Sequence, residues 1–239
     1  MSLASSIEQK ISQLLPGEVF SSSQLKLTST TGARQAISRL EKKGIIQRLD
    51  GIQSLYYIPK KGILGNIKPT RGQIVEAIIN RQKKGYRTGL SLYNMMGLTT
   101  QVPGSVTIAT EATPQSTTVA GLDVKFVKAK GPITKKSIPL LQILDVINDI
   151  KDIPDTTPDM VFTKIIKTIK NLEEKPMKLL TTLALKYPKR VQALVGATFE
   201  FIKEDELATK LRKNLNLGSA YNIGISEALL PNKSNWNIL

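Results

Sequence analysis

The hydrophobic period of this chain changes along its length, and that change limits what it can fold into. Ala33, Ala36, Ile37 and Leu40 recur at i, i+3, i+4 and i+7, the spacing of one buried helix face. The runs "IIQRL" and "SLYYIP" follow at once, β-rich and separated by an Asp50-Gly51 turn signal. A second β-rich block holds "SVTIAT", "STTVAG" and "LDVKFVKA", the last two joined across Gly121 as a hairpin. From about Pro139 the pattern is helical almost to Gly218. The expected class is α+β: an N-terminal winged helix-turn-helix, a mixed α/β unit and an α-rich C-terminal region.

The first sixty residues carry the most specific pattern. Ser5 with Glu8 reads as a capping box before a stripe of Ile7, Ile11, Leu14 and Leu15, and Pro16-Gly17 stops that helix. A second short helix is expected near Ser21 to Leu25. A third runs from about Thr31 to Lys43, with Gly44 where a C-terminal cap belongs. Three short helices and a hairpin make a winged helix over residues 1–62. At about 100° per residue, Thr31, Gln35, Ser38 and Lys42 fall opposite the apolar stripe, flanked by Arg34 and Arg39. Arg, Gln and Ser can exchange hydrogen bonds with base edges in a major groove. Lys42, Lys43 and Arg48 suit phosphates. A recognition helix would dock as in helix-turn-helix proteins.

Further along, Pro59 to Pro69 reads as a linker rich in Pro, Gly and Lys. Thr70 with Gln73 is a second capping box, opening a helix to about Gln82. "YRTGLSLYNMMGL" suggests a turn and a helix ending at Gly97. Residues 63–135 thus form a mixed α/β unit, and residues 136–239 an α-helical region expected to pack with it as one effector domain. In that region Leu140, Ile143, Leu144 and Ile147 form one stripe. Thr157-Pro158 caps a helix that carries Phe162, Ile165, Ile166 and Ile169. Pro176 and Pro188 each begin a helix, the second aligning Val191, Leu194, Val195 and Thr198. Leu207, Leu211 and Leu215 mark a last one. The tail from Tyr221 has no period and reads as an irregular strap.

Charge narrows the partners. The net charge is +15, and residues 1–62 hold nine Lys or Arg against four Asp or Glu. Residues 63–135 hold ten against three, whereas residues 136–239 hold fifteen against twelve. A basic N-terminal half suits a polyanion, either nucleic acid or an acidic membrane face. The absence of Cys and His removes disulfides, thiolate zinc sites and the commonest metal ligand and general base. No cofactor, metal or catalytic residue is therefore assigned. No apolar run approaches the ~20 residues of a membrane span, and "MSLASSIEQK" lacks the regions of a secretion signal. The cytosol is the expected location.

Two other readings stand beside DNA binding. A winged helix also serves as an adaptor that binds only protein. A Mg²⁺-dependent nuclease would use Glu111, Asp123 and Lys125, since an acid followed by x and Lys on a strand can hold a metal and position water. Tyr56, Tyr57 and Tyr93 could stack on bases, although singly placed aromatics usually belong to a core.

"PGEVFSSSQL", "ARQAISRLEKKGIIQRL", "YYIPK", "GLSLYNMMGLTTQVP" and "YNIGISEALLPNKSNWNI" together resemble antitoxins of the AbiEi type. These are the regulatory halves of type IV toxin–antitoxin and abortive-infection systems in bacteria. The resemblance covers nearly the whole chain. It implies an N-terminal winged helix that binds double-stranded operator DNA and represses its own operon. It also implies a remainder that counteracts a nucleotidyltransferase-like toxin. Carried over, DNA reading falls on Thr31, Arg34, Gln35, Ser38 and Arg39, with Arg48 in or beside the wing. A palindromic operator would engage a dimer or two monomers.

Overall fold

The computed structural model describes residues 3–22, 31–52, 54–63, 65–81, 85–112, 115–216 and 218–239. Helices and short sheets are mixed in an α+β chain. It divides into two compact units: residues 1–85 with 114–125, and residues 86–113 with 126–239. The stretch 114–125 therefore returns to the N-terminal unit.

In the first unit, α1 (Leu3–Ser12) and α2 (Thr31–Lys42) pack together. α1 buries Ile7 and Ile11, one turn apart. Because α1 begins at Leu3, Ser5 lies inside it and is not the expected cap. α1 also ends before Leu14 and Leu15, and Leu15 is 71% exposed. β1 (Val19–Ser21) occupies the start of the expected second helix, and the rest of that expectation lies outside the described residues. α2 matches its expected span and buries Ala33, Ala36, Ile37 and Leu40. Gly44 ends it at φ +70°, a conformation Gly adopts without penalty.

β2 (Gln47–Arg48) and β1 both pair antiparallel with β3 (Leu55–Tyr57), giving the order β1-β3-β2. Phe20 on β1 and Tyr56 on β3 stack at 6.0 Å and join Ile7, Ile11, Ala36, Ile37, Leu40 and Ile46 in one core. Tyr56, Tyr57 and Tyr93 are buried. The expected linker is instead a hairpin, β4 (Lys60–Gly62) and β5 (Gly65–Ile67), in the register Lys60↔Ile67. α3 (Arg71–Arg81) follows, and its capping box is present: Thr70 N–H donates to Gln73 Oε1 at 2.8 Å and Gln73 N–H to Thr70 Oγ at 3.3 Å.

β6 (Gly85–Thr88) forms where a turn was expected, and α4 (Leu90–Met95) follows it. β7 (Ser105–Thr110) lies beside β6. β8 (Thr117–Val119) and β9 (Leu122–Lys128) make the expected hairpin across Gly121, with Val119 opposite Leu122. The second unit is dominated by α5 (Ile138–Asn148), α6 (Pro158–Lys170), α7 (Glu174–Ala184), α8 (Lys189–Phe201) and α9 (Asp205–Arg212). α5 buries Leu141 and Val146 as well as its expected stripe, so it is surrounded on nearly all sides. Thr157 caps α6 by accepting from Met160 N–H at 3.3 Å. Pro176 sits inside the first turn of α7, and Leu215 lies beyond the end of α9. α8 is buried from Val191 to Phe199. The tail ends in a 3-10 turn (Lys233–Trp236) that seats Trp236 over Gly196, where an added Cβ would lie 2.1 Å from the indole.

Candidate functional site

The outer face of α2 carries the candidate site. Its inner face is fixed by four buried residues two of which, Ala33 and Ala36, are small enough to bring the helix close to its neighbours. That anchoring leaves Thr31, Arg34, Gln35, Ser38, Arg39 and Lys42 exposed together, with Lys43 just beyond the helix end. No carboxylate among the described residues engages Arg34 or Arg39. Arg39 and Lys42 also lie in the last turn, where the helix dipole favours positive charge.

Arg48 differs from these. On β2 it donates to Glu41 Oε2 at 3.3 Å and lies 5.5 Å above the Tyr56 ring. Its charge is therefore already partly balanced inside the protein. Its head nevertheless lines a groove of about 530 Å³ together with Ser22, Arg34, Ser38, Ser54 and Tyr56. Ser54 Oγ is shielded from solvent there and has no hydrogen-bond partner among the described residues. The Arg34 and Arg48 guanidinium groups with Ser22 and Ser38 around one opening suit a phosphate, which accepts from such donors. Ser22 and Ser54 were not foreseen. They meet through the pairing of β1 with β3, which no local spacing announces.

The β2–β3 turn does not project freely. Gly51 has φ +91°, and a Cβ there would lie 1.9 Å from the Thr118 carbonyl oxygen. Ala120 N–H donates to Asp50 O at 2.9 Å. The turn is thus seated on the β8–β9 turn of the same unit. Behind it, a second cavity of about 470 Å³ is lined by Arg48, Asp50, Tyr57, Lys68, Arg71 and Gly121. Burial, then the Asp50 charge, raises the Tyr57 phenol.

The residues of the nuclease reading have ordinary partners. Asp123 Oδ1 accepts from Thr118 Oγ at 2.7 Å, and Glu111 Oε1 accepts from Ile133 N–H at 3.4 Å. Glu111 belongs to the second unit, Asp123 and Lys125 to the first. Among the described residues no group of three or more His, Cys, Asp or Glu could hold a metal ion.

The second unit contains one buried carboxylate that the sequence did not single out. Asp145 accepts from Thr88 Oγ at 2.7 Å, Tyr187 Oη at 2.7 Å and Tyr86 Oη at 3.0 Å. Burial pushes its carboxyl above the ordinary range, although the three hydroxyls and the Lys130 charge pull the other way. Burial and the Asp145 charge likewise raise the Tyr86 and Tyr187 phenols. With every partner satisfied, this arrangement orders a core.

Among the described residues no helix is long and apolar enough to cross a membrane. The chain belongs to the DUF6088 family, described as a family of unknown function, whose model matches residues 6–178. No curated protein matches it. A crystal structure described as that of the RV2827C protein from Mycobacterium tuberculosis is similar at 11% identity, with a TM-score of 0.47, over 90% of this chain and 82% of that one.

Proposed function

We propose that this protein is a sequence-specific regulator that binds duplex DNA through α2, its first unit acting as a winged helix with α2 as the recognition helix and β2–β3 as the wing. One observation carries the reading. A helix pinned by its apolar face turns Arg34, Gln35, Ser38 and Arg39 to solvent with neither arginine paired to a carboxylate among the described residues. Arg34 and Gln35 read bases, while Lys42, Lys43 and Arg48 hold phosphates beside Ser22. Because the wing turn is seated on β8–β9, it meets the DNA as part of a two-hairpin edge.

The resemblance to AbiEi-type antitoxins supports the wider role: a cytoplasmic autorepressor that counters a nucleotidyltransferase-like toxin, with the remainder of the chain as its effector part. The test is electrophoretic retardation of the DNA immediately upstream of the gene, with unrelated duplex as competitor. Retardation that resists the competitor supports the reading. If no duplex is retarded while a protein partner co-purifies, the chain is an adaptor and the DNA reading fails.

A further inference from the structure

The β4–β5 hairpin is a basic arm with an apolar tip, and we propose that it enters the minor groove of the bound duplex with Ile63 as a wedge between base pairs. This rests on the duplex-binding reading above and adds to it a second, deforming contact. The register Gly62↔Gly65 places Ile63 in a tight turn. Such short turns ordinarily use Asn, Asp or Gly. Here the turn carries Ile63, the most exposed of the large apolar side chains among the described residues at 104%.

Nothing in the fold calls for that residue. Lys60, Lys61, Asn66, Ile67 and Lys68 are all exposed, so the arm buries neither face. Its own shape is nevertheless specified. A Cβ on Gly62 would meet Ile67 Cγ1 at 2.9 Å, and Gly65 has φ +114°. From Pro59 to Thr70 the chain holds three Lys and no Asp or Glu. Lysines that straddle a groove, an amide that can donate to its floor and an apolar tip that unstacks a step are the parts of a minor-groove wedge. The arm belongs to the same compact unit as α2.

Wedge insertion unwinds DNA, which a linking-number assay reads. Relaxed closed-circular plasmid is incubated with the full chain and topoisomerase I, then stripped of protein. The wild type should leave a ladder of underwound topoisomers. Ile63→Ser should abolish that ladder while keeping affinity for a linear duplex within about threefold, because the lysines remain. Lys60→Ala with Lys61→Ala should flatten the dependence of log K on log salt by about 2, at ~0.9 per phosphate. If the wild type retards duplex DNA but Ile63→Ser gives the same ladder, or neither gives one, the wedge is overturned and the α2 reading stands. If the wild type neither retards nor unwinds any DNA, both fall. If instead Ile63→Ser loses binding to phosphatidylserine vesicles with its plasmid behaviour unchanged, the arm serves a membrane and the wedge is overturned.

Discussion

Replacing Arg34 and Arg39 together by Ala separates a recognition face from a merely solvated one. Both side chains are exposed and no carboxylate among the described residues holds either, so their loss breaks no intramolecular ion pair. Folding stability should move by no more than about 0.5 kcal/mol, as for other surface changes. Against DNA each contact is worth about 1–3 kcal/mol, so the pair should cost about 2–6 kcal/mol, or roughly 30-fold to 10⁴-fold in Kd. Arg48→Ala should cost less, because Glu41 at 3.3 Å already balances that charge. Fluorescence anisotropy on a labelled duplex from the upstream region reads the affinity, with circular dichroism as the folding control. A well-folded double variant that binds as tightly as the wild type refutes the role of α2.

Three further outcomes follow from packing and linkage. Gly51→Ala must carry φ +91° and a Cβ that lies 1.9 Å from the Thr118 oxygen; the turn should lift, at about 1–2 kcal/mol for the backbone alone, and amide exchange at Ala120 should quicken, whereas unchanged exchange contradicts the seating. Gly196→Ala should lower the melting temperature by an overpacking cost of about 1–3 kcal/mol or more and red-shift the emission of Trp236, the chain's sole tryptophan; an unaltered spectrum and melt count against the tail's placement. Asp145 has its folded value raised by burial, so its contribution is full below the ordinary aspartate pKa of about 3.9 and is lost as pH rises through the folded value. The stability of wild type relative to Asp145→Asn should therefore fall between acid and neutral pH in urea melts, and a difference that rises with pH would refute the sign.

How much the sequence disclosed depended on whether the signal was local. α2 was legible because its four buried residues repeat at helical spacing and Gly44 closes it. The Thr70–Gln73 cap and the β8–β9 hairpin were legible for similar reasons. Ser21 was read as the start of a helix, because the strand Val19–Ser21 takes its character from pairing with Leu55–Tyr57, far along the chain. The β4–β5 arm looked like a linker since a hairpin that buries neither face leaves no hydrophobic period. Asp145 gave no signal because its donors Tyr86, Thr88 and Tyr187 come from distant segments. Of the site, the cations and Gln35 on α2 were visible in sequence, whereas Ser22 and Ser54 became visible only once β1 lay beside β3.

The most direct measurement is the affinity of the intact protein for its upstream duplex across a series of salt concentrations. With about six phosphates neutralised, log K should fall against log salt with a slope near −5. A flat response would mean that the open cationic side of α2 does not meet a polyanion at all.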